Sequence, residues 1–285
     1  MRSLALLVVI AVTTAAAAAC NTTDAGRLRA QADGHREVAL AIVAEADKAS
    51  VSGDRTLQDA KYREALAELL QGEKTGAMDS DGNYLIGLVY FLGFGRHEEA
   101  IAHLQKAIEQ KQKEAQAEYP EAENLLGAVL VDAGRPADAI PHFDKARTNL
   151  LYATPYFAEQ GMGEALFKLG RHDEAAAHLQ AALIAYPDLC GAYVKLAEIA
   201  IVKGDDAKVQ EVLGTFLTRC DSDRLRANTG ARLIAPALLE LGKSRLRTGQ
   251  RDPALEAFKQ CATRFPEEPA AKDCDSQMRA LADAG

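Results

Sequence analysis

The chain has 285 residues, 48% of them hydrophobic and 26% charged, so it carries material for a buried core and fits neither a disordered chain nor a staple-dependent mini-protein. A formal charge of −8 and a pI near 5.4 speak against a nucleic-acid partner, because phosphate binding draws its affinity from clustered Lys and Arg. With no Trp, 6% aromatic residues, abundant Ala and Leu and almost no alternating β-branched stretches, the composition favours packed helices over sheets.

The chain opens MRSLALLVVIAVTTAAAAAC: Arg2, an apolar stretch from Leu4 to Val12, then small residues running into Cys20. This is the grammar of an export signal. The apolar stretch falls short of the roughly 20 residues that a spanning helix needs, and no later stretch approaches that length. Two cleavage readings compete. Ala17, Ala18 and Ala19 satisfy an A-x-A signal peptidase rule, and the same residues before Cys20 resemble a bacterial lipobox, with Ala17 where lipoboxes usually carry Leu. The lipobox reading accounts for the Cys at the boundary and is the one expected here: residues 1–19 removed, Cys20 acylated, and 20–34 a polar, lipidated tether. Asn21 follows Cys20 where an Asp would favour the inner membrane, so by resemblance to bacterial sorting rules the anchor goes to the outer membrane, facing the periplasm.

Residues 35–285 read as one repeat domain. GRHEEAIAHLQKAI at Gly95 returns as GRHDEAAAHLQAAL at Gly170, and weaker copies begin at Lys61, Gly134 and Gly249. Upstream of each is an apolar helix with a small residue at a fixed place: Gly87, Gly127, Gly163, Ala197 and Gly242. Twelve residues after four of these stand Ala139, Ala175, Val209 and Ala254, and four further on Phe143, Leu179, Leu213 and Phe258. This is the tetratricopeptide (TPR) spacing of a repeat of about 34 residues. The small residue lets helix A approach helix B, and the Phe or Leu fills the seam. The expected fold is therefore an all-α TPR superhelical solenoid of about six hairpins, the first degenerate, closed by a C-terminal capping helix from Pro269. Two additions break the period: EQKQKEAQAEYPE, expected to lengthen helices around Lys111 to Glu118, and DSDRLRANTGARL before the last repeat.

Apart from Cys20 there are four cysteines, an even number in an exported chain. Register places Cys190 at the start of one helix A and Cys220 at the end of its helix B, hence at the same end of an antiparallel hairpin. Cys261 lies just before the Pro266 corner and Cys274 just after the restart at Pro269. Pairing of Cys190 with Cys220 and of Cys261 with Cys274 is expected, against the alternative of free buried thiols; no His lies nearby in register for a metal site.

His103, His142 and His178 fall at one repeat position, and His97 and His172 at another, so they line a ridge and cannot converge on one atom. Neither a zinc-protease, nucleophile-elbow nor P-loop motif occurs. No enzyme activity, cofactor, metal or small-molecule substrate is expected. A TPR array offers instead a concave face from helix A, at three before, one after and four after the small residue: Tyr84, Leu88 and Phe91; Asn124, Ala128 and Val131; Gln160, Glu164 and Phe167; Val194, Glu198 and Ile201. The groove is largely apolar and suits an apolar or amphipathic protein segment. Asn124 has no accompanying Lys or Arg there, so a basic clamp for peptide termini is missing. The alternative is a groove covered by the amino-terminal pair or by closure of the array on itself.

The segment LLYATPYFAEQGMGEALFK, with its two-residue addition before Pro155, resembles the TPR lipoproteins that serve as type IV pilus pilotins, the PilF/PilW and Tgl type, over roughly Asn83 to Asp221. The resemblance implies an outer-membrane lipoprotein that binds the pilus secretin through the groove and promotes its localisation or multimer assembly. The last repeat and second cysteine pair go beyond the pilotin pattern. A generic periplasmic TPR scaffold for cell-envelope machinery is the alternative.

Overall fold

The computed structural model describes residues 2–221 and 230–283, with side chains from residue 24 onward except that of residue 231. Among the described residues there are thirteen α-helices and no strand. They are α1 (Arg2–Ser52), α2 (Arg55–Lys74), α3 (Ser80–Phe94), α4 (His97–Ala115), α5 (Pro120–Asp132), α6 (Pro136–Thr148) and α7 (Pro155–Lys168). The remainder are α8 (His172–Ala185), α9 (Cys190–Val202), α10 (Asp206–Cys220), α11 (Ala231–Arg247), α12 (Arg251–Arg264) and α13 (Pro269–Asp283). The chain divides into two compact units, one ending at Val129 and one beginning at Leu130, within α5.

Within each unit helices pair in chain order, α1 with α2 and α3 with α4 in the first, α7 with α8, α9 with α10 and α11 with α12 in the second, with α13 on α12. The first helix of each pair ends at a glycine of positive φ: Gly53, Gly95, Gly134, Gly170, Gly204 and Gly249. At Gly170 (φ 75°) the left-handed backbone lets the following amide of Arg171 bond back to the Leu166 carbonyl at 2.9 Å, closing α7 before α8 starts. A glycine inside the helices does different work. A Cβ on Gly163 would lie 2.6 Å from Leu179 Cγ, so α7 can sit on α8 only with a bare backbone there. The repeated helix–glycine–helix order and the carboxy-terminal helix agree with expectation, and the fold class is all-α TPR.

In the first unit Val43 and Ala46 of α1 meet Tyr62, Ala65 and Leu69 of α2 and Leu85, Ile86 and Val89 of α3. In the second, Phe143, Leu179, Phe216, Ile234, Leu238 and Phe258 are buried to 2% exposure or less. Three of these six, Phe143, Leu179 and Phe258, stand at TPR marks, and the other three lie in helices that carry one. α13 buries Ala270, Ala271 and Cys274 and leaves its other face exposed, as an end helix must.

One sequence expectation is modified. The reading of residues 20–34 as a tether is corrected where side chains are described: the stretch is part of α1, Ala32 is fully buried, and one turn on His35 Nδ1 meets Glu68 Oε2 of α2 at 2.8 Å. Its small polar residues hide an apolar stripe that only α2 completes. The side chain of Cys20 lies outside the described residues. The first addition lengthens α4 to Ala115 as expected, then stops at Gln116, the only non-glycine of positive φ among the described residues, before Tyr119 returns to the interior. Most of the second addition, 222–229, lies outside the described residues. No described helix is long and apolar enough to cross a membrane.

Candidate partner-binding surface

On α3 the positions 84, 88 and 91 share one face, because steps of four and three residues return to the same side of a helix. Tyr84, Leu88 and Phe91 are all half-buried. The Tyr84 ring lies 5.5 Å from that of Tyr119, Leu88 packs on the first unit's core, and the Phe91 ring sits 6.2 Å from His97. Asn124 and Ala128 on α5 are likewise half-buried. The Asn124 Oδ1 atom is buried with no hydrogen-bond partner among the described residues.

In the second unit Val131 is 4% exposed, and the reading of it as a groove contact is corrected. It stands one residue from the end of α5, turned inward, and its carbonyl accepts a 3.0 Å hydrogen bond from Lys168 Nζ. Gln160, Glu164 and Phe167 are half-buried on α7, as are Val194, Glu198 and Ile201 on α9. Gln160 lies over the bare backbone of Gly191, and Lys195 places its ammonium 5.1 Å from the centre of the Phe167 ring while pairing with Glu198 at 2.6 Å. Cation–ring contact and ion pair hold this side chain flat along the face.

Between α9 and α11 the face deepens into a pocket of about 120 Å³, walled by Val194, Ile201, Leu213, Leu233, Pro236 and Ala237. Glu198 and Glu240 stand at its rim, each paired with a lysine three residues away on its own helix, Lys195 and Lys243. Arg232 also lines it, but the wall is otherwise apolar, so the pocket suits an aliphatic or aromatic side chain. Sequence register finds the α9 wall but misses Leu233, Pro236 and Glu240. The addition before α11 lengthens that helix, and the lining comes from a turn earlier than the small residue Gly242 would indicate.

The histidines are placed otherwise than as plain surface positions. His103 Nδ1 lies 3.1 Å from Asn83 Oδ1 on the partner helix of its hairpin, and His178 Nδ1 lies 2.6 Å from Glu159 Oε2 on α7. Each ties helix B to helix A within its own hairpin. Among the described residues no group of three or more His, Cys, Asp and Glu could hold a metal. The cysteines join as Cys190–Cys220 and Cys261–Cys274, with Cα separations of 5.9 and 6.2 Å, the pairs expected from register.

Tetratricopeptide repeat family profiles match residues 81–151, 161–208 and 236–268. No curated protein matches the chain. Among solved structures, PilW, described as a widely conserved type IV pilus biogenesis factor, is similar with a TM-score of 0.65 at 23% identity, over 83% of this chain and 97% of its own. PilF of Pseudomonas aeruginosa is similar with a TM-score of 0.62 at 14% identity, over 86% and 99%. MamA of Desulfovibrio magneticus RS-1 follows with 0.52 at 19% identity, over 67% and 97%. At these identities the likeness establishes the fold.

Proposed function

We propose that this chain is an outer-membrane TPR lipoprotein that acts in type IV pilus assembly as a pilotin, binding the pilus secretin and promoting its localisation or multimer formation. It binds and does not catalyse. The observation that carries the reading is the match to PilW and PilF over nearly the whole of each, joined to an export-type amino terminus ending in Cys20. The half-exposed apolar positions of α7 and α9 and the apolar pocket beside α9 are what a protein segment would engage, apolar contacts giving the affinity.

The test is membrane fractionation with immunoblotting of SDS-resistant secretin multimers in wild type, a deletion strain and Cys20→Ala. The expected result is protein in the outer membrane, multimers lost on deletion, and displacement of the protein by Cys20→Ala. Unchanged multimers in the deletion overturn the pilotin assignment and leave a periplasmic TPR scaffold for cell-envelope machinery.

A further inference from the structure

The connection from α6 to α7 is unlike the other described connections between hairpins. In the α2–α3 connection the apolar residue Met78 is 6% exposed, in α4–α5 Tyr119 is 9% exposed, and in α8–α9 Leu189 is 8% exposed. In α6–α7 Tyr152 is buried in the same way, but two further residues precede it, and Leu150 and Leu151 are 100% and 91% exposed. The turn that holds them out is built: Asn149 Oδ1 accepts from the Leu151 amide at 2.9 Å, and Tyr152 N bonds to the Asn149 carbonyl at 3.2 Å. A few residues on, at the start of α7, the chain carries aromatic rings. Tyr156 stacks on Tyr186 at 4.8 Å and 17°, with Phe157 at 4.8 Å from Tyr156, and Phe157 and Tyr186 are themselves partly exposed. The cation beside the tip is engaged: Arg147 pairs with Asp144 at 2.6 Å and reaches Glu159 at 3.6 Å.

We propose that the Leu150–Leu151 tip inserts into a lipid surface, with Tyr156, Phe157 and Tyr186 at the level of the headgroups. A protein partner of a protruding, fully exposed leucine pair would have to supply a pocket, whereas acyl chains part around it. An exposed aliphatic tip with aromatic rings a few residues on is the order of polarity across a membrane interface. An arginine already engaged by two carboxylates and an overall charge of −8 fit a zwitterionic surface and give no reason for anionic lipid. The contact would orient the second unit on the membrane whatever partner its groove holds, so it does not depend on the pilotin reading.

The chain has no Trp, so one introduced ring reports on one place. Full-length Leu151→Trp would be reconstituted into vesicles of phosphatidylethanolamine and phosphatidylcholine, with and without brominated acyl chains. Val202→Trp, an exposed position at the far end of α9, is the control. Expected are a blue-shifted Leu151→Trp emission, bromine quenching several-fold stronger than at Val202→Trp, and no loss of quenching at high salt. Adding Leu150→Ser should weaken the quenching with unchanged helical circular dichroism. Equal quenching at the two positions overturns the proposal, and so does a blue shift that follows protein concentration without lipid, which would mean that a second copy covers the tip.

Discussion

His103 shows how much one side chain in a repeat seam senses. Its imidazole lies 3.1 Å from Asn83 Oδ1 and 5.7 Å from the Tyr90 ring, with Glu73 at 3.9 Å and Lys106 beside it. Burial pushes its pKa below the ordinary 6.5; Glu73 opposes this, and Lys106 adds to it. The folded chain therefore takes up this proton less readily than the unfolded chain. Stability from this site is complete above the unfolded value of 6.5 and is lost as pH falls through it toward the lower folded value. Urea unfolding between about pH 7 and about pH 5 should show wild type losing stability more steeply than His103→Gln. Equal slopes would remove His103 from the acid response. The repeat sequence placed this residue correctly on helix B but could not reveal its seam contact, because Asn83 and Glu73 lie on other helices.

The connection between α4 and α5 carries a strained element boundary. α4 runs to Ala115 because the addition there is rich in Gln, Glu, Lys and Ala, which propagate a helix readily. It stops at Gln116 with φ 50°, a left-handed backbone that costs a side-chain-bearing residue about 1–2 kcal/mol. Beyond the turn, Tyr119 is anchored over Tyr84 at 5.5 Å and under Lys111 Nζ at 4.8 Å, and these contacts hold the chain in that backbone. Gln116→Gly keeps the turn and relieves the strain, so it should raise stability by about 1 kcal/mol in thermal or urea unfolding. A fall in stability would mean that the Gln116 side chain contributes more than its backbone costs. The longer α4 was legible in the sequence from composition; its stop was not, since no glycine marks it. The same division holds along the chain. Gly163, Ala175 and Leu179 were legible because hard packing tolerates few residue types, and fixing them also fixed the half-exposed face of α7. The burial of Ala32, the outward Leu150 and the α11 side of the pocket were not, because each depends on where a neighbouring helix or an added residue comes to lie.

At the scale of the whole molecule the covalent links are unevenly distributed. Both disulfides fall in the second unit, and the first unit has no cysteine among its described side chains. Cys190–Cys220 closes the α9–α10 hairpin over a separation of 30 residues, and Cys261–Cys274 ties α12 to α13 over 13. Loops of these sizes stabilise by about 3 kcal/mol each when the cross-link restricts the unfolded chain. In a repeat array stability is close to a sum of repeat and nearest-neighbour contributions, so loss of a link is felt mainly in its own repeat and the next. Reduction should therefore act locally. Hydrogen exchange of the oxidised and reduced chain should show amides of α9, α10, α12 and α13 losing protection by a factor of 10 or more, at about 1.4 kcal/mol per tenfold change. Amides of α2 and α3, remote in sequence from either link, should keep theirs. Uniform loss along the chain would show that all the repeats unfold as one cooperative body. Undiminished protection at α12 and α13 would show that packing of Ala270 and Ala271, and not Cys261–Cys274, holds the last helix in place.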